Sequence, residues 1–171
     1  MLIVDNLLDE EVLSVIDDVL ERAGCLKGKT TARGKAALVK DNLQLDRQTN
    51  DRELAELIHR MDKSILTAIR DHRTIRRHFL PHRISSTPII SRYTEGMEYG
   101  VHTDTPVMGS QTPMRVDVSC TIFLSESDSY DGGELILVTP GGERSYKAER
   151  GAACIYPTHY SHPVSYTHLR A

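Results

Sequence analysis

The hydrophobic periodicity of this chain changes once, and the change decides which architectures are open to it. In the first part, Val12, Ile16, Val19 and Ala23 recur at helical spacing, with Asp9 placed to cap the start and Gly24 to end it. A second stripe, Leu54, Leu57, Met61, Ile65 and Ile69, predicts a helix from about Asn50 to His72, capped by Asn50 or Asp51. Between the two, Gly28 to Asp46 is mixed and basic, and part of it is expected as a loop over a site. Beyond His72 the helical repeat stops, and Pro81 and Pro88 exclude a continuous helix.

The second part of the chain has a period of two. Ile89 to Tyr93 reads as a strand. Val116, Val118, Cys120, Ile122 and Leu124 alternate with Asp117, Ser119, Thr121 and Phe123, as in a strand with one face on a core. Asp131-Gly132-Gly133 predicts a turn, Glu134 to Val138 a strand, Pro140-Gly141-Gly142 a second turn, Ser145 to Lys147 a short strand, and Ala152 to Tyr156 a strand opened by Gly151. Helices first and short strands later imply an α+β chain whose second part is a sandwich or barrel.

At 171 residues the chain can bury one real core. A net charge of -3 gives no electrostatic reason to expect nucleic acid or an anionic membrane as partner. The basic stretch holding Arg70, Arg73, Arg76, Arg77 and Arg83 is weighed as a nucleic-acid patch and read instead as a solvated face or helix C-terminal charge, since Phe79 is its one interleaved aromatic. No apolar run has the roughly 18 residues of a membrane span. The start, MLIVDNLLDEE, lacks the basic region of a secretory signal. Three widely spaced cysteines, Cys25, Cys120 and Cys154, fit a reduced, cytoplasmic setting, with Cys120 and Cys154 expected in core packing.

One tripeptide carries chemistry. In His102-Thr103-Asp104, extended backbone would present an imidazole and a carboxylate on one face. Two histidines and one carboxylate on one side of an ion leave open positions, as non-haem Fe(II) oxygenases require. The segment after Gly151 offers His159 and His162 as the third ligand. Such a tripeptide is weak alone, and the β-rich context with a later histidine strengthens it.

Ser91 to Asp104, SRYTEGMEYGVHTD, closely resembles the iron-binding segment of the bacterial PKHD-type hydroxylases, relatives of the prolyl 4-hydroxylases. Asp117 to Ser125 looks like their central strand and Tyr130 to Leu135 like their hallmark turn. Gly151 to Pro157 leads, as in that family, to a distal iron histidine. The resemblance implies a double-stranded β-helix (a jelly roll) over 81–171, buttressed by a helical region over 1–80, as one folding domain. It implies hydroxylation of a second, unidentified substrate using Fe(2+), O2 and 2-oxoglutarate, with succinate and CO2 released and L-ascorbate as reductant. The family spacing selects His162 over His159, giving His102, Asp104 and His162 as metal ligands. Tyr93 matches a tyrosine that hydrogen-bonds the cosubstrate in related prolyl hydroxylases. Tyr93 and Tyr99 are read equally as cosubstrate contacts and as core tyrosines.

The family also clamps 2-oxoglutarate with an arginine ten positions after the distal histidine. Here that position would be 172, one past Ala171. Val164 to Ala171 instead resembles translated sequencing-adapter DNA, so a truncated chain lacking its final strands is expected. Arg170 shares strand parity with His162 and is the alternative clamp, two positions early. Two other classes compete: a zinc hydrolase on the same three ligands, for which no glutamate is placed as base, and a non-catalytic cupin-like metal-binding module or inactive fragment.

Overall fold

The computed structural model describes residues 1–32, 34–109 and 112–169, with side chains of the last strand described as far as Val164. In chain order the strands are β1 (Leu2–Val4), β2 (Cys25–Lys27), β3 (Lys40–Asp41), β4 (Leu43–Leu45), β5 (Ser91–Arg92), β6 (Glu98–His102), β7 (Val107–Met108), β8 (Met114–Arg115), β9 (Val118–Ile122), β10 (Tyr130–Thr139), β11 (Gly142–Tyr146), β12 (Ala153–Pro157) and β13 (His162–Leu169). The helices are α1 (Glu10–Arg22), α2 (Lys35–Leu38), α3 (Arg52–Asp71) and α4 (Arg73–Phe79).

Both long helices start where a side-chain oxygen meets the orphan amides of a first turn. The Asp9 carboxylate accepts from Val12 N at 3.0 Å, and that of Asp51 accepts from Glu53 N and Leu54 N at 2.9 and 3.2 Å. Their buried faces, Leu13, Ile16 and Val19 on α1 and Leu54, Ile58, Met61 and Ile65 on α3, pack together. Arg73, Arg76 and Arg77 of the basic stretch lie in α4, which sequence periodicity missed because seven residues hold too few repeats. It ends where Leu80 takes a left-handed conformation (φ 45°), ahead of Pro81, with Arg76, Arg77 and His78 in its last turn, where cations suit the dipole.

The strands form antiparallel sheets. One has the order β1-β12-β9, a larger one β11-β10-β13-β6-β3, and β2-β4-β5 forms a third beside them. Residues 1–80 therefore supply strands as well as helices: β1 pairs with β12, and β3 with β6. Alternation along β12 divides the interior. Ala153 and Ile155 join the core under the helices, while Cys154 and Tyr156 join a second core with Phe123, Leu135 and Leu137.

Two local expectations need correction. Asp131-Gly132-Gly133 is no turn between strands. It lies inside β10, where pairing with β13 slips register on either side of Gly132, and Gly132 and Gly133 have φ of 74° and 72°. The glycines permit a bulge, for which sequence gives the same signal as for a turn. Cys120 is exposed, and Cys154 is buried as expected. The turn at Pro140-Gly141-Gly142 does link two strands, β10 and β11.

Gly151 joins the helical layer to the sheet. Its N–H donates to Phe123 O at 2.8 Å, and its carbonyl accepts from Leu8 N at 3.0 Å. Its φ is 83°, and an added Cβ would lie 2.7 Å from Leu8 O. Gly151→Ala should therefore destabilise the chain by about 1–3 kcal/mol in urea titration. Gly141→Ala, whose added Cβ meets nothing closer than Thr139 Oγ1 at 3.8 Å, should stay within about 0.5 kcal/mol of the parent.

Candidate metal centre

The antiparallel register of β6 and β13 sets His102 directly opposite His162. Both side chains are buried, and their ring centroids lie 4.3 Å apart. Of the tripeptide only His102 belongs to a strand. The chain leaves β6 after it, and Asp104, half-buried, comes from the following loop. Asp104 Oδ1 lies 3.9 Å from His102 Nε2 and 3.7 Å from His162 Nε2. One ligand atom from each of the three residues falls within 4.8 Å of the other two.

The rings are held by their far nitrogens. His102 Nδ1 is 2.8 Å from Gly100 O, and His162 Nδ1 is 3.0 Å from Tyr160 O. A carbonyl only accepts, so Nδ1 carries a proton in both rings, and in its neutral form a ring held this way turns a lone pair on Nε2 toward Asp104. Burial, and to a smaller degree the neighbouring His162, pushes the His102 pKa down, which favours that neutral form, although Gly100 O and Asp104 act the other way. Two lone pairs and a carboxylate oxygen converging on one point suit a divalent cation.

Tyrosines line the centre. The Tyr99 ring stacks on His102, with centroids 3.5 Å apart and planes 13° from parallel. Tyr93 lines the same cleft, and burial raises its pKa to about 12. Tyr156, which sequence reading left unused, sets its hydroxyl 3.4 Å from His162 Nε2 and 3.1 Å from Thr121 Oγ1. His159 sits apart, exposed in the turn after β12 with its ring edge-on to Tyr160. Arg170 lies outside the described residues.

Sequence reading also passed over Lys40, Asn42 and Gln44, in the stretch expected as a loop. These three are buried on one side of β3 and β4. Their spacing of two was a usable signal, masked because polar alternation normally marks the solvent face.

The tautomers can be tested directly. Long-range 1H–15N spectra at mildly alkaline pH should show both His102 and His162 protonated on Nδ1. Protonation on Nε2 in either ring would remove its lone pair from the centre.

The 2OG-Fe(II) oxygenase superfamily model matches residues 88–170. A PKHD-type hydroxylase of Rippkaea orientalis is 40% identical over 96% of this chain and 71% of its own length. Two solved structures share the fold. A Pseudomonas putida prolyl-4-hydroxylase has a TM-score of 0.60 at 15% identity, covering 97% of this chain and 85% of its own. A 2OG-Fe(II) oxygenase family oxidoreductase from Burkholderia pseudomallei has a TM-score of 0.62 at 17% identity, covering 96% and 76%. Like them, the chain combines helices with antiparallel sheets, and none of its described helices is long and apolar enough to cross a membrane. The chain belongs to the PKHD-type hydroxylases of the 2OG-Fe(II) oxygenase superfamily.

Proposed function

We propose that His102, Asp104 and His162 hold Fe(2+), and that the chain is a 2-oxoglutarate-dependent dioxygenase hydroxylating a second substrate, with succinate and CO2 as co-products and L-ascorbate as reductant. The observation that carries this reading is the convergence of both Nε2 lone pairs on Asp104, each ring fixed by a backbone carbonyl at Nδ1. The sheets around it are read as a double-stranded β-helix, with β11-β10-β13-β6 on one side and β12-β9 on the other.

Bound there with the 2-oxo acid, iron supplies the oxidative decarboxylation and the oxygen insertion. The protein's residues do the rest. Asp104 supplies the negative charge in the ligand set. His102 cannot swing away, because Tyr99 covers one face of its ring and Gly100 O holds its edge. The Tyr156 hydroxyl can donate to His162 Nε2 when that lone pair is free, and to an oxygen of a bound acid when it is not. Tyr93 and Tyr99 line the cleft in which the cosubstrate would lie, which supports reading them as cosubstrate contacts, the role that the family resemblance gives to Tyr93. Asp104 thus offsets one of the two charges of the ion.

Under anaerobic conditions, Fe(2+) at about 100-fold over its Kd should stabilise the chain by about 2.7 kcal/mol, read as a rise in the unfolding midpoint. Asp104→Ala and His162→Ala should abolish the rise, and His159→Ala should keep it. Loss in His159→Ala with retention in His162→Ala would overturn the ligand assignment. Addition of 2-oxoglutarate to the Fe(2+)-loaded chain should produce a metal-to-ligand charge-transfer band. Its absence with iron bound would favour a metal-binding module without this chemistry.

The Tyr156 hydroxyl gives a second test. Tyr156→Phe removes the group that competes for the His162 lone pair. Metal affinity should hold or rise, while stability falls by about 1 kcal/mol through the lost Thr121 contact. A tenfold loss of metal affinity would show that Tyr156 supports the centre and does not compete with it.

A further inference from the structure

The polar residues beside the metal centre are buried in a way that packing alone does not account for. Lys40, Asn42 and Gln44 alternate along β3 and β4, and are 5%, 2% and 5% exposed. Burying a polar side chain is costly unless its hydrogen bonds are met, and here they are met only in part. Lys40 Nζ has three N–H donors and one hydrogen bond, to Thr31 Oγ1 at 3.0 Å. Among the described residues no carboxylate lies within ion-pair distance of it. Both polar atoms of the Asn42 amide lack a hydrogen bond. The Tyr93 hydroxyl lies beside that amide without meeting hydrogen-bond geometry. Gln44 accepts from Thr31 Oγ1 at 2.7 Å, which holds the threonine in place.

This cluster is joined to the metal centre by two short steps. Lys40 pairs with Tyr99 in register, and its Nζ stands 4.9 Å from the centroid of the Tyr99 ring. The same ring stacks on His102 at 3.5 Å. Lys40, Thr31, Gln44, Tyr93, Tyr99 and Asp104 line one continuous cleft. Gly28 makes the burial possible: a Cβ there would lie 1.7 Å from the Asn42 side-chain oxygen and 3.1 Å from Lys40 Cε.

The charges favour an anionic ligand. Burial works against the charged form of Lys40, and the negative charge of Asp104 favours it to a smaller degree. A divalent cation on Asp104 would take up that carboxylate. Lys40 would then face a net positive centre with two donors unused, and an anionic oxygen group is the ligand that satisfies both.

We infer that Lys40, supported by Thr31 and Gln44, forms a carboxylate subsite of the metal centre. The inference rests on the reading of that centre as an oxygenase site. The carboxylate can come from either of two sources, the far end of the 2-oxo acid or the substrate to be hydroxylated, and the same lysine signal distinguishes them.

The test uses the full chain with 13Cε-labelled lysine, loaded with Zn(II) as a diamagnetic stand-in that does not react with O2. Of the six lysines, Lys40 is assigned as the signal missing from Lys40→Met or, should that variant not fold, from Lys40→Arg. If the far carboxylate of the 2-oxo acid is the ligand, 2-oxoglutarate should shift the Lys40 signal and pyruvate should not. Lys40→Met should then weaken 2-oxoglutarate about tenfold or more and leave pyruvate unchanged. If the substrate supplies the group, propionate added to the Zn(II)·2-oxoglutarate complex should shift the signal, and Lys40→Met should leave 2-oxoglutarate affinity unchanged. The inference is overturned if pyruvate moves Lys40 as much as 2-oxoglutarate does while propionate does not move it, or if none of the three acids moves Lys40 by more than it moves the exposed Lys63. A chain that takes up no Zn(II) refutes the metal centre itself. Propionate added to the metal-free chain then decides the subsite alone: a shift of Lys40 sustains it, and no shift overturns it.

Discussion

The pairing of β6 with β13 sets His102 across from His162, and every other property of the centre depends on that register. Side chains alternate along a strand, so a slip of one residue would turn one imidazole out of the interior. Several features oppose such a slip. β13 is held on its other side by β10, the longest strand, and the irregularity in β6–β13 pairing falls after His162, between it and Val164. The Nδ1 contacts to Gly100 O and Tyr160 O then set the rotation of each ring. The metal site is thus made by backbone first and by side chains second.

The interior between the sheets is not uniform. Toward β10 and β12 it is apolar, with Leu135, Leu137, Phe123 and Cys154 in contact. Toward β3 and β6 it becomes polar, with His102, Lys40 and Gln44 buried. Apolar packing supplies most of the stabilisation, and the polar end draws on it. Desolvation acts on both ends of the polar region in the same direction, lowering the pKa of Lys40 and of His102 by disfavouring charge. A site so arranged favours ligands that bring the missing charge with them.

Much of this was legible from residue types, and the limits were physical. The helices α1 and α3 were readable because thirteen and twenty residues hold several turns of apolar repeat and each begins at an aspartate cap. His102, Asp104 and His162 were readable as a set because family spacing linked segments sixty residues apart. It is the structure that brings them together. The strands β1 to β4 were largely hidden, since two or three residues carry no period and their pairing is decided by distant partners. Lys40 was hidden for a different reason. Its stretch has the alternation of a strand with its polar face outward, and only tertiary contact shows that this face points in.

β1 consists of residues 2–4, and it pairs with β12 at residues 153–155. Partners roughly 150 residues apart make this a contact of very high order, closed only after a large loss of chain entropy. During synthesis the helices can form from their own neighbours while β1 waits for residues 153–155 to emerge. The His–Asp–His cluster has the same dependence, since His162 arrives later still. The centre can therefore form only once His162 has emerged, and an ion bound there reports that β6 and β13 have paired.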